Sequence, residues 1–290
     1  MRGATLFSGG GGVEARLKDR VNFVHAVEFD PAIAAVYARN IGSHITVADV
    51  RAVDYATWGA LNYLHASPVC KNASRAKTDG AETDTDVETA LAVVRCLEAT
   101  QPGVFTLENV WGYRTFEAFR RICQALDRNG YMWHFEHLNA ANFGVPQTRR
   151  RLILRASRGL LPTLPEVVPW VGWYAAIEDL LPTLSQRRLA AYHEVRFRLI
   201  TRAGHWLIGG GNTNKTIIEG PPRAAVIPAF TVTPRSDSWR IITPDGGSYA
   251  VDVRCARRWQ TLPDTFEGNM ETIGNAVPSL MMERIVCQML

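Results

Sequence analysis

The first half of the chain alternates short apolar runs with longer segments of helical periodicity. Ala4 to Phe7 reads as a strand, and a glycine-rich loop leads from it into a helix over Val13 to Arg20. Asn22 to Phe29 is strand-like. Pro31 to Asn40 follows as a helix, with Asp30 as N-cap and Pro31 at the first helical position, where proline's missing N–H costs nothing. Ile45 to Val47 and Tyr63 to Ala66 are short strand candidates. Asp86 to Thr100 has helical periodicity, and acidic residues in its first turn complement the helix dipole. Val104 to Leu107 reads as a strand, Phe116 to Arg128 as a helix closed by Asn129-Gly130, and Arg151 to Arg155 as a further strand. Repeated strand–helix units predict an α/β fold with a mainly parallel sheet and helices on both faces.

From about Leu160 the alternation stops and prolines become frequent, with a glycine cluster at Gly209-Gly210-Gly211. This predicts a loop-rich second unit lasting to Val253, after which Arg254 to Leu290 is helix-like again. The expected organisation is therefore one domain from residues 1–159 and 254–290, with a smaller one at 160–253. A length of 290 residues suits one large domain plus such an insertion. At 47% hydrophobic and 21% charged residues, the composition is that of a globular protein. No apolar run approaches a membrane span, and the N-terminus lacks a signal-peptide pattern, so no membrane partner is expected. The five cysteines are odd in number, widely spaced and without a metal-ligand pattern, which points to free thiols in a reducing compartment and to no metal.

The net charge of +4 is unevenly spread. Arg149, Arg150, Arg151, Arg155 and Arg158 fall within ten residues, and Arg187, Arg188, Arg196, Arg198 and Arg202 form a second concentration. Such clusters suit a polyanion, DNA or RNA; the second is equally a solvated helix face.

Phe7-Ser8-Gly9-Gly10-Gly11-Gly12 follows a strand and opens a helix, where glycines allow close backbone approach to a ligand. Alone it is a weak signal, with a tight structural turn as the alternative. Glu28, roughly 20 residues on at the next strand's end, has the spacing of an acid that binds ribose hydroxyls. Asp49 follows the third strand, where it either accepts from an adenine amino group or makes a turn. Cys70 ends the stretch Ser67-Pro68-Val69-Cys70 at a strand's C-terminal edge, near Lys71, Arg75 and Lys77, cations that favour a thiolate. Cys96, Cys123 and Cys287 read as buried structural cysteines. A dehydrogenase would share the strand, loop and distal acid, but explains neither Cys70 nor Glu108-Asn109-Val110.

Through most of its length the chain resembles the C5-cytosine DNA methyltransferases. Phe7 to Gly12 is similar to the family's cofactor loop, Cys70 to the nucleophile of its Pro-Cys motif, and Glu108-Asn109-Val110 is identical to its Glu-Asn-Val motif. Gln147-Thr148-Arg149-Arg150-Arg151 fits Gln-x-Arg-x-Arg, and Gly274 to Pro278 matches the last motif. The resemblance implies a Rossmann-like catalytic domain that binds S-adenosylmethionine and releases S-adenosylhomocysteine. Its expected cofactor residues are Phe7, Gly9, Gly10, Gly11, Glu28, Phe29, Asp49, Val50, Pro68, Asn275, Ala276 and Val277. Cys70, Glu108, Arg149 and Arg151 are the expected catalytic set. Cys70 would attack C6 of a flipped cytosine, Glu108 would face N3, Arg151 would contact O2, and Arg149 would support the loop. Residues 160–253 fall where the family carries its target-recognition domain. Lys71, Ser74, Gln147, Asn212, Lys215, Arg235 and Arg240 are the expected DNA contacts.

Two departures stand beside the match. Val69 and Lys71 flank Cys70 where Pro-Pro-Cys-Gln is usual, so a φ constraint is lost and a charge gained. Thr5 replaces an aspartate that is common before the cofactor loop. The expected activity is DNA (cytosine-5-)-methylation in a short duplex site by a monomer in a prokaryotic cytoplasm or nucleoid, or from a phage, with a cognate restriction endonuclease as an open partner. A tRNA cytosine-5 methyltransferase and a catalytically impaired DNA-binding protein remain alternatives.

Overall fold

The computed structural model describes residues 1–69, 81–200, 203–209 and 220–290. They form two compact units, Met1–Asn139 with Arg150–Pro165 and Met282–Leu290, and Ala140–Arg149 with Glu166–Met281.

The first unit contains β1 (Arg2–Leu6), α1 (Glu14–Leu17), β2 (Asn22–Glu28), α2 (Pro31–Asn40), β3 (Ile45–Val47), β4 (Tyr63–Ala66), α3 (Asp84–Thr100), β5 (Val104–Asn109), α4 (Glu117–Arg128), β6 (Met132–Asn139) and β7 (Arg150–Ser157). Its seven-stranded sheet has the order β3-β2-β1-β4-β5-β7-β6. β1 to β5 run parallel, and β7 lies antiparallel between β5 and β6. β4 and β5 are buried at every position, so their sequences are near-continuous runs rather than alternations. α4 instead buries one stripe, Ala118, Phe119, Ile122, Cys123, Ala125 and Leu126, and leaves its charges outside. Asp30 caps α2 by accepting from the N–H groups of Ala32 and Ile33.

The chain steps from β1 outward to β2 and β3, then returns to β4 on the other side of β1. The C-terminal ends of β1 and β4 are thus the point where the winding reverses, which is where open α/β sheets bind ligands.

The second unit was expected to be loop-rich, yet it holds a four-stranded antiparallel sheet. Its elements are α5 (Ala191–Phe197), β8 (Trp206–Ile208), β9 (Arg223–Ala224), β10 (Arg240–Ile242), β11 (Ser248–Ala250), α6 (Val253–Trp259) and α7 (Met270–Asn275), with the sheet order β11-β10-β8-β9. Strands of two or three residues are too short to display a period of two. α8 (Ser279–Met289) closes the chain. The core of this unit is built on fully buried Trp173, Trp239 and Trp259, with Trp259 5.9 Å from Trp239 and 6.4 Å from Trp173, ring centre to ring centre. Residues 254–281 therefore pack with the second unit instead of rejoining the first.

Candidate active site

The cofactor loop leaves β1 with Phe7, Gly9 and Gly11 in left-handed backbone conformations (φ 58°, 55° and 91°). At Gly11 a Cβ would lie 2.4 Å from Ile41 Cγ1, so glycine is required there by space as well as by φ. The Glu28 carboxylate, at the end of β2, accepts from the Gly9 N–H (2.9 Å) and the Asp30 N–H (3.0 Å). Glu28 is free for this role because Asp30 does the helix capping. Ser8 is tied to Val27 of β2 through its main chain and its hydroxyl. Beyond Glu28, Phe29 is 73% exposed, a large apolar ring in the open at the sheet's C-terminal edge. Gly10 and Val50 are buried.

Asp49 makes the turn after β3 by accepting from Arg51 N, and the Arg51 guanidinium also grips its carboxylate. That hydrogen-bonded guanidinium holds the Asp49 carboxyl below the usual carboxylate range. Both readings of Asp49 from sequence therefore draw on one carboxylate already committed to Arg51.

Thr5, in the place of the usual aspartate, is fully buried and donates to the buried carboxyl of Glu14 (2.5 Å). Burial pushes Glu14 up to about 7, against the lowering effect of the Thr5 hydroxyl. Nothing in the sequence pattern singled out Glu14; an acid on the inner side of a four-residue helix becomes visible only in three dimensions.

At the other side of the switch point, the Asn109 side chain donates to the Pro68 carbonyl (2.9 Å) and accepts from Val110 N (2.8 Å). The Glu-Asn-Val motif thus fixes the main chain two residues before Cys70. Glu108 itself is nearly buried, and its Oε1 meets Arg151 Nε at 2.9 Å. The β5–β7 register explains the pair. Glu108 faces Ile153, and Arg151 lies two residues before Ile153 on β7, hence on the same face. Cys70, Lys71 and Ser74 lie outside the described residues.

In the second unit, Arg149 is buried and donates to the carbonyls of Val232 (2.8 Å) and Gly274 (3.3 Å). Gln147 is fully buried. Its amide nitrogen donates to the Trp259 carbonyl (2.8 Å) and Gln260 Oε1 (2.7 Å), while its oxygen accepts from Val232 N (3.0 Å). Gln260 donates onward to the Ile273 and Ala276 carbonyls. Gln147 was expected to contact DNA; its side chain is buried and hydrogen-bonded through both its nitrogen and its oxygen. Arg240, also expected to contact DNA, is buried, and its Nη1 donates to the carbonyls of Asp237, Ser238 and Trp239. Burial lowers its pKa. Arg235 is exposed, and Asn212 and Lys215 lie outside the described residues. Asn275 is exposed at the end of α7, Ala276 half-buried and Val277 buried. Gly274 is forced by space, because a Cβ would sit 2.3 Å from the Thr233 carbonyl carbon.

Among the described residues no group of His, Cys, Asp or Glu is arranged to hold a metal, and no helix is long and apolar enough to cross a membrane.

The comparisons with known proteins point one way. The family described as C-5 cytosine-specific DNA methylase matches residues 1–180. The type II methyltransferase M1.HphI of Haemophilus parahaemolyticus is 30% identical over 97% of this chain and 84% of its own length. M.AplI of Arthrospira platensis is also 30% identical, over 64% of this chain, and the match spans only 56% of M.AplI. In three dimensions a mutant of Spodoptera frugiperda DNMT2 superposes with a TM-score of 0.69 over 99% of both chains at 12% identity, a likeness of fold alone. The family match over residues 1–180 and the likeness to M1.HphI show that the chain belongs to the C-5 cytosine-specific DNA methylase family.

Proposed function

We propose that the chain transfers a methyl group from S-adenosylmethionine to C5 of a cytosine flipped out of a short duplex DNA site. The observation that carries this reading is the Glu108–Arg151 pair beside the main chain that Asn109 anchors at Pro68. A carboxyl and a guanidinium together match the N3 and O2 edge of a pyrimidine, and the target atom is unreachable inside a duplex.

The residues at the β1–β3 edge fit the methyl donor. Gly9 and Gly11 in left-handed conformations leave the loop backbone bare, the Glu28 carboxylate is aimed by two N–H groups, and Phe29 offers an exposed ring. When bound, S-adenosylmethionine supplies an electrophilic methyl group. Cys70 acts first on the base: its thiolate bonds to C6 and the ring's electron pair moves to C5, making that carbon nucleophilic. Glu108 holds a proton at N3, which offsets the negative charge that builds up on the ring. Arg151 both orients Glu108 and donates toward O2, while Arg149 acts at a distance by holding the Val232 and Gly274 carbonyls. Once C5 has taken the methyl group, water accepts the C5 proton, the electron pair of that C–H bond restores the C5–C6 double bond, and the C6–S bond breaks to free Cys70 as thiolate.

Residues 160–253 are proposed to supply target recognition, with exposed Arg235 as a contact. The type II names of the relatives favour a bacterial cytoplasmic setting and a cognate restriction endonuclease. The test is methyl transfer from labelled S-adenosylmethionine to duplex DNA or to tRNA, with Cys70→Ala alongside. Label in DNA that disappears with the variant supports the reading. Label confined to tRNA would replace the substrate class, and no label in either would sink it.

A further inference from the structure

Four buried or half-buried hydroxyl and imidazole groups link β4 to β5 in an unbroken series. Tyr63 Oη is 2.8 Å from Thr106 Oγ1, Thr106 Oγ1 is 2.8 Å from His65 Nδ1, and His65 Nε2 is 2.8 Å from Ser67 Oγ. Tyr63 and Thr106 are fully buried and His65 is 2% exposed; only Ser67 approaches the surface.

Inventory fixes the direction of the series. Tyr63 has one O–H, and Thr106 is its partner, so the tyrosine must donate or leave a buried donor unsatisfied. Thr106 then has its own proton for His65 Nδ1, which must present a lone pair. The imidazole proton is thereby assigned to Nε2 and donates to Ser67. Each group passes one proton forward, and the Ser67 hydroxyl is left with a proton and no acceptor inside the series. Burial lowers the His65 pKa to about 3, so the ring stays neutral and the direction does not reverse near neutral pH.

The exit lies where the winding reverses. Ser67 follows β4 directly and donates its N–H to the Leu6 carbonyl of β1 (3.3 Å). Along the strand ends the order is Asp49 after β3, Glu28 on β2, Ser67 after β4 and Glu108 on β5. If Glu28 takes the ribose and Glu108 the base, the part of the methyl donor opposite β4 is its amino-acid end. The carboxylate is the strong acceptor there.

We infer that Tyr63, Thr106, His65 and Ser67 form a one-way hydrogen-bond chain that holds the Ser67 hydroxyl as a positioned donor to the carboxylate of the bound methyl donor. This rests on the function proposed above and names a further set of positioning residues for it. A hydrogen bond to a charged group predicts that Ser67→Ala weakens S-adenosylmethionine binding roughly tenfold. Binding of 5′-methylthioadenosine, which lacks the amino-acid end, stays unchanged. Thr106→Val shows the same ligand-selective loss at smaller size, and His65→Gln, whose amide nitrogen can stand in for Nε2, keeps most of the affinity.

Calorimetric titration of the full chain with both ligands reads these effects, and ¹⁵N-histidine NMR reads the tautomer, with the proton expected on Nε2 of a neutral ring between about pH 5 and 8. The inference is overturned if Ser67→Ala binds S-adenosylmethionine within about twofold of the parent. It also fails if both ligands weaken equally, as a structural role would require, or if the proton sits on Nδ1. A parent protein that binds neither ligand would remove the functional reading, and this inference with it.

Discussion

Glu108 and Arg151 are joined through Nε, the guanidinium N–H that lysine cannot reproduce. Arg151→Lys should therefore lower single-turnover methyl transfer by about 10- to 100-fold while leaving S-adenosylmethionine affinity intact. Glu108→Gln keeps the shape but loses the acid, and a drop of about 10²–10⁴-fold is expected in the same assay. Glu14 gives a residue-scale prediction of a different kind. Burial pushes its carboxyl up to about 7, from an ordinary value of 4.5. Between these values the folded state holds a proton that the unfolded state has released, so this group's contribution to stability falls as pH rises from 4.5 to 7 and is level above. The shift amounts to about 3 kcal/mol. Glu14→Gln should gain melting temperature over the parent progressively across that window in paired thermal melts. A constant difference from pH 4.5 to 7 would show that the carboxyl is not held neutral. His65 hides this slope in the parent alone: its lowered pKa makes its contribution rise with pH up to the ordinary histidine value, opposing Glu14.

At the scale of elements, the first unit was largely legible. Pro31–Asn40, Ile45–Val47 and Tyr63–Ala66 coincide with α2, β3 and β4, because a cap, a proline and bounded apolar runs mark them locally. β6 escaped, since its Trp133, Phe135 and intervening polar residues are all only half-buried or exposed and carry no sharp alternation. The reversal of β7 also escaped, because pairing direction is set by partners and leaves no trace in one strand's own sequence. The glycine loop, the Glu-Asn-Val motif and Arg151 were readable because each needs particular residue types at fixed spacing. The burial of Gln147 was not legible, because a polar residue inside a basic motif has the same letter whether it faces solvent or a buried carbonyl. Its burial yields an element-scale prediction: Gln147→Leu strands Val232 N–H, the Trp259 carbonyl and Gln260 Oε1, and should destabilise the second unit by about 2–4 kcal/mol in chemical denaturation. If DNA affinity fell while stability held, Gln147 would be a contact after all.

Across the whole molecule, the net charge of +4 overstates how many arginines are available to a polyanion. In the first cluster Arg149 and Arg155 are buried on backbone carbonyls, Arg151 is paired with Glu108, and Arg158 bonds to Gln101 beneath the Tyr131 ring. In the second, Arg196 is buried on the Gly209 carbonyl, whereas Arg187, Arg188 and Arg198 are exposed, as is Arg235. Only a cation that leaves water to neutralise a phosphate releases counterions, so the salt dependence of DNA binding should follow the exposed group. Arg235→Ala should reduce the slope of log K against log salt by about 1, and the pair Arg187→Ala with Arg188→Ala by up to about 2, with no loss of folding stability. Arg196→Met and Arg240→Met should do the reverse: they free carbonyls inside the second unit, lower its stability and leave the slope of the folded fraction unchanged. Fluorescence anisotropy with a labelled duplex across a salt series measures the slope without turnover, so the outcome does not depend on Cys70. A slope that responds to Arg240 but not to Arg235 would mean that DNA reaches the second unit by a different face.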